Sequence, residues 1–207
     1  MAVLARDGHS ASAPDLRAGL EAGAGAYEAI GYQLSAIVTE RTVIVAHSGA
    51  GGLIPSIRGS SSPKPRIVFL DALLPHPDRS WLQTLPPAAA EQLVSLALDG
   101  RAAAWPTWLS AGYLSHILPR LETREALVAE APRVPLSFLR ARAPPSHDWA
   151  KRLDSAYLQL SPAYKAEADA AERLGWPVVS YPGHHLSMIT DPERVARSLL
   201  SLTIESA

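Results

Sequence analysis

The chain has 207 residues, 47% hydrophobic and 19% charged, with a formal net charge of -1 at pH 7, which suits one well-buried core and, with basic residues unclustered, argues against nucleic acid or an anionic membrane as partner. It contains no cysteine, which excludes disulfides, thiolate metal sites and a cysteine nucleophile. No apolar run reaches the length of a membrane span and the N-terminus does not read as a secretory signal, so a cytoplasmic location is the expectation.

Ala2-Val3-Leu4 reads as the end of a strand, followed by small residues and a Pro14-Asp15 turn. Between Gly25 and Glu40, apolar residues recur at helical spacing (Ala26, Ala29, Ile30, Leu34, Ile37, Val38), predicting an amphipathic helix. Thr42 to Ala46 predicts a strand that runs into His47-Ser48-Gly49-Ala50-Gly51-Gly52. Gly59 to Pro65 is a loop by composition. Ile67-Val68-Phe69-Leu70 is a continuous apolar run, as expected of a strand buried on both faces of a parallel sheet. The segment 73–133 is rich in Pro and Trp and interrupts the strand–helix rhythm, with helical patterns around Ala88 to Leu98 and Arg120 to Glu130. Val134 to Leu139 reads as a returning strand, and Ala143 to Asp148 as the loop after it. Ser155 to Leu160 suits helix or strand. Ala163 to Gly175 predicts a helix stopped by Gly175, and Pro177 to Tyr181 a strand. Asp191 to Leu202 predicts a closing helix opened by Asp191-Pro192. The alternation predicts an α/β fold with a mostly parallel sheet, and no internal repeat is present.

A strand that reverses sharply into a helix leaves little room beside the turn, and Ser48 has small residues, Ala46 and Ala50, two positions to either side. Such an elbow pushes the serine hydroxyl out at the end of the sheet; an ordinary strand–turn–helix with packed glycines is the plainer reading. Acyl transfer by Ser48 requires a base, a group that orients it and backbone donors for the oxyanion. Gly49 supplies an N–H directly after the serine. Among seven histidines, His185 follows the last predicted strand and precedes the last helix, at the end of the sheet where sites form. His184 is its nearest rival, and either also reads as a surface loop residue. His47 reads as lining the turn or packing. Asp71, at the end of Ile67 to Leu70, and Asp148, in a later loop, both qualify as the acid. Asp71 has the better-defined strand end; a cap and a solvated loop residue are their respective plainer readings. The glycines lack the G-x-G-x-x-G spacing and the histidines lack metal-ligand spacing, so neither a metal nor a cofactor is expected.

The order of Val43-Ile44-Val45-Ala46-His47-Ser48-Gly49-Ala50-Gly51, Val68-Phe69-Leu70-Asp71-Ala72 and Pro182-Gly183-His184-His185-Leu186 resembles the α/β-hydrolase superfamily. It is similar in particular to small actinobacterial-type α/β-fold hydrolases with an HSGAG elbow. The resemblance covers nearly the whole chain as one domain, 1–207. It implies a mostly parallel sheet with flanking helices and a helical lid inserted at 73–133. It also implies a serine hydrolase of the esterase or thioesterase kind, acting on a small-molecule acyl substrate through Ser48, His185 and Asp71, with Gly49 as oxyanion donor. Trp81, Trp105 and Trp108 would then line an acyl pocket, unless they form a lid core. Most members carry the acid after the seventh strand, which would match Asp148; some lipase-like members carry it after the sixth, which matches Asp71. Set against the family, Ala2 to Ser10 resembles the end of the fourth strand and the loop beyond it. The first strands and the loop bearing the second oxyanion donor are therefore expected to be lacking. That departure keeps a second reading open: a non-hydrolytic member of the fold that binds a ligand, or a lyase or cyclase using His185 as base. It also leaves room for a homo-oligomer covering the open sheet edge.

Overall fold

A computed structural model describes residues 1–39, 41–57, 65–145, 149 and 153–203. The chain divides into two compact units, one of Met1–Asp15, Leu34–Pro75 and Ser146–Ala207, the other of Leu16–Gln33 and His76–Pro145. The strands are β1 (Val43–Ser48), β2 (Arg66–Ala72), β3 (Asp154–Gln159) and β4 (Val178–Ser180). The helices are α1 (Ala2–Arg6), α2 (Arg17–Leu20), α3 (Ala26–Ser35), α4 (Pro87–Ser95) and α5 (Ala111–Ile117). They continue with α6 (Leu121–Glu130), α7 (Leu136–Arg140), α8 (Lys165–Arg173), α9 (Ser187–Thr190) and α10 (Pro192–Ser201). Among the described residues no helix is long and apolar enough to cross a membrane.

The first unit holds a four-stranded, all-parallel sheet in the order β1-β2-β3-β4. Side chains alternate across a strand, so the apolar run of β2 divides between two cores. Ile67 and Phe69 join Ala46, Ile54, Tyr157 and, from α8, Ala168 and Ala171. There Phe69 stacks on Trp176 at 5.4 Å and meets the edge of Trp149. Val68 and Leu70 join Ala156 and Leu158 on the other face, against Val195 and Leu199 of α10, with Leu4 of α1 packed alongside. Helices on both faces are why β2 reads as unbroken hydrophobicity rather than alternation. β1 and β4 are the edge strands among the described residues, and on β1 Val43 and Val45, which would extend the α10 face, stay 38% and 40% exposed.

The second unit is helical. α7 packs on the 3-10 turn Gly23–Gly25, and Gly23, at φ +56°, would bring a Cβ to 3.0 Å from the Ser137 hydroxyl. Tyr27 and Phe138 pack ring to ring at 5.6 Å. Arg101 forks onto the carboxylate of Glu21, and Ser110 caps α5 by accepting from the Tyr113 N–H.

Two sequence expectations are corrected. Ala2 to Leu4 lies in helix α1, not at a strand end, because three apolar residues carry no periodicity and Leu4 docks against α10's face of the sheet. Val134 to Leu139 holds helix α7 rather than a strand. Pro135 stands directly before it and sets a helix start, while Leu136, Phe138 and Leu139 are all buried. The helix expected over Gly25 to Glu40 is a 3-10 turn followed by α3, which stops at Ser35. The ambiguous Ser155 to Leu160 is strand β3. The loop expected at Gly59 to Pro65 lies, apart from Pro65, outside the described residues.

Candidate active site

Each element of the site ends at the same edge of the first unit's sheet. β1 closes on Ser48, whose backbone sits at φ 57° and ψ -131°, a conformation that costs a non-glycine residue of the order of 1–3 kcal/mol. A 3-10 segment, Gly49–Ser56, follows at once, and the first N–H groups of such a helix have no partner within it. The turn is held by the Leu73 N–H donating to the Ser48 carbonyl at 3.0 Å. Gly51 makes room for it: a Cβ there would lie 1.9 Å from the Leu73 carbonyl oxygen.

Asp71 owes its orientation to a bulge. His47 pairs with Leu70 but Ser48 pairs with Ala72, so Asp71 is the extra residue on β2, and it adopts φ +44°. The backbone of Ala72, past the last paired residue of the β2–β3 ladder, exchanges hydrogen bonds with the Tyr157 hydroxyl, which accepts at 3.1 Å and donates at 2.8 Å. Fully buried, the Asp71 carboxylate accepts from the N–H groups of Leu160 (2.8 Å) and Ser161 (2.9 Å), from the Ser161 hydroxyl (2.7 Å) and from His185 Nδ1 (2.7 Å). Burial pushes its pKa up; the donors from His185, Ser161 and Leu160 outweigh burial and hold it below the usual carboxylate value.

His185 stands in the turn after β4. An ionised carboxylate only accepts, so Nδ1 of His185 carries the proton and Nε2 is left as an acceptor in the neutral ring. Gly183 is required just before it, because a Cβ would lie 2.3 Å from the Tyr181 ring and 2.4 Å from the Ser187 hydroxyl. That hydroxyl accepts the His184 N–H at 2.8 Å. The His185 ring lies between two others: His47 at 4.4 Å and, nearly parallel, Tyr164 at 5.0 Å. His47 Nε2 donates to the His185 carbonyl at 3.1 Å. Burial, and then the neighbouring His185, lower the His47 pKa to about 4. The Tyr164 hydroxyl lies 3.2 Å from Ser48 Oγ.

Ser48, Asp71 and His185, the three residues read from sequence as a triad, thus share one strand-end cluster, and Gly49 opens the segment beside it. His184 is engaged elsewhere: its Nδ1 accepts from the Leu186 N–H and its Nε2 meets the Thr190 hydroxyl at 3.0 Å. Asp148, the alternative acid, lies outside the described residues. Trp81, Trp105 and Trp108 belong to the second unit, where Trp81 and Trp108 pack at 5.8 Å and the Trp108 indole donates to the Ala103 carbonyl. Three residues of the cluster were not read as functional from sequence: His47, Ser161 and Tyr164. Ser161-Pro162-Ala163-Tyr164 contains no motif, and its contacts with Asp71 and Ser48 span 90 and 116 residues of chain. Among the described residues no group of three or more His, Asp or Glu side chains is placed to hold a metal ion.

The model of the alpha/beta hydrolase family matches residues 1–198. The chain belongs to the alpha/beta hydrolase family. No curated protein matches it. Among solved structures, this α/β-hydrolase is similar to an extracellular α/β-hydrolase from a Paenibacillus species, described as sharing structural and functional homology with tobacco salicylic acid binding protein 2. The TM-score is 0.72 at 17% identity, covering 97% of this chain and 90% of that one. It is also similar to a pyrethroid hydrolase from Sphingobium faniae JZ-2, with a TM-score of 0.65 at 17% identity over 99% of this chain and 90% of that one. Identity at this level speaks for the shared fold, a parallel sheet flanked by helices.

Proposed function

We propose that this α/β-hydrolase is a serine hydrolase cleaving an ester, thioester or related acyl bond of a small molecule. Ser48 attacks the carbonyl, His185 Nε2 takes its proton and returns it to the leaving group, and Asp71 fixes the imidazole in the tautomer in which Nε2 is the acceptor. The Gly49 N–H donates to the oxyanion. The observation that carries this reading is the 2.7 Å hydrogen bond between His185 Nδ1 and a buried carboxylate already held by three other donors, at the strand end where Ser48 sits in its strained turn. An imidazole anchored in this way cannot rotate its basic nitrogen away without stranding a buried charge.

The test is intact-mass labelling with a fluorophosphonate, comparing the protein with Ser48→Ala. One adduct on the unaltered protein and none on the folded variant is the expected outcome. A folded protein that takes no adduct, or a variant that keeps it, overturns the reading in favour of a non-hydrolytic member of the fold.

A further inference from the structure

We propose that the Tyr164 hydroxyl is a catalytic hydrogen-bond donor, serving the Ser48 oxygen in the free enzyme and the substrate oxyanion beside the Gly49 N–H during attack. The proposal rests on the serine hydrolase reading and adds a residue that neither family membership nor motif supplies. Tyr164 ends the 3-10 turn Pro162–Tyr164 between β3 and α8, and its hydroxyl lies 3.2 Å from Ser48 Oγ. A half-buried phenol is favoured by a polar partner, and here that partner is the reacting atom itself.

Either oxygen can donate in this hydrogen bond, and the serine hydrolase reading assigns its direction. Nδ1 of His185 is committed to Asp71, so in that reading the Ser48 proton goes to Nε2. Ser48 Oγ is then an acceptor toward Tyr164, and the phenol is the donor. Burial, with the charges of Asp71 and Glu167, raises the Tyr164 pKa, so the phenol keeps its proton at neutral pH.

On attack, the Oγ–carbon bond forms as the serine proton passes to Nε2, and the carbonyl π pair moves onto the carbonyl oxygen. Oγ, now bonded to carbon, becomes a weaker acceptor, while the oxyanion on that same carbon becomes a stronger one. A donor within reach of Oγ therefore transfers to the group where charge has developed, which is the form of stabilisation that lowers a barrier. When the intermediate collapses, the carbonyl re-forms, the bond to the leaving group breaks and the leaving group takes the proton from Nε2. Tyr164 ends with its own proton.

Tyr164 also stacks on His185, so the test must separate hydroxyl from ring. Tyr164→Phe keeps the ring. The readout is the second-order rate of fluorophosphonate labelling, whose phosphoryl oxygen occupies the oxyanion position without need of a known substrate. The expected loss is about a hundredfold, with the unfolding midpoint and the pH dependence of labelling unchanged, as the His185 environment is retained. A rate within about twofold of the unaltered protein overturns the proposal. Should the Phe variant not fold, 3-fluorotyrosine at position 164 keeps the shape and strengthens the donor. Labelling at or above the original rate supports the role, and a marked fall overturns it. Absence of any Ser48 adduct on the unaltered protein would instead overturn the serine hydrolase reading itself, and this proposal with it.

Discussion

His47 illustrates how one side chain serves the site and loads the stability of the protein at once. In the folded state burial and His185 hold its pKa near 4, whereas an unfolded histidine titrates near 6.5. Between those values the unfolded chain binds a proton that the folded chain refuses, so stability rises with pH across this window and is lost as pH falls from about 6.5 toward 4. His47→Gln removes that titration while keeping a side-chain N–H for the His185 carbonyl. The unaltered protein should lose of the order of 1–2 kcal/mol between pH 7 and pH 5 from this group, and the variant should lose less by that amount, as measured by urea unfolding at the two values. Equal losses would show that the ring is protonated within the fold. The sequence marked His47 only as a residue of the elbow; its stacking on a side chain 138 positions away is written in the β1 and β4 ends together and in neither alone.

At the scale of elements, glycines separate by what surrounds them rather than by where they fall in a motif. Ala46 and Ala50 drew attention in the sequence as the small neighbours of Ser48, yet it is Gly51 whose missing side chain makes the turn feasible, with the Leu73 carbonyl in the way of any Cβ. Gly51→Ala should lower stability by about 3 kcal/mol. Gly112, inside α5 with nothing within 4 Å of a built Cβ, should gain about 0.5–1 kcal/mol on replacement by Ala. Chemical denaturation of the pair decides the matter, and a similar response from both would contradict the steric account. The same contrast explains which elements were legible. β2 declared itself through four consecutive large apolar residues, and α8 and α10 through caps and periodicity. α1 and α7, of five residues each, are shorter than the window in which a helical period can be told from an apolar run. Their structure is set by what they pack on.

For the whole molecule, the interruption of the strand–helix rhythm after Ala72 reads in the sequence as a lid at 73–133 within one domain, whereas the second compact unit consists of Leu16–Gln33 and His76–Pro145, which nothing local in the sequence joins. Ser48, Asp71 and His185 were legible as candidates because each lies at, or in the turn just after, the C-terminal end of a strand. Ser161 and Tyr164 were not, because their roles depend on β3 lying next to β2, and that pairing joins residues 88 positions apart in the chain.

That separation bears on how activity would be acquired during folding. β3 and β4 are close in sequence and should join early, whereas setting β3 against β2 means closing a loop that contains all of His76–Pro145, with an entropic penalty that grows with the logarithm of its length. Three of the four donors to the Asp71 carboxylate come from Leu160 and Ser161, at the far side of that closure. Helical signal in refolding should therefore recover first and fluorophosphonate reactivity later, as a separate kinetic phase seen by interrupted refolding; a single shared phase would refute the sequence of events. A newly made chain would pass through a stage with its secondary structure in place and its serine still inert, so that chemical competence becomes a report on the completion of folding.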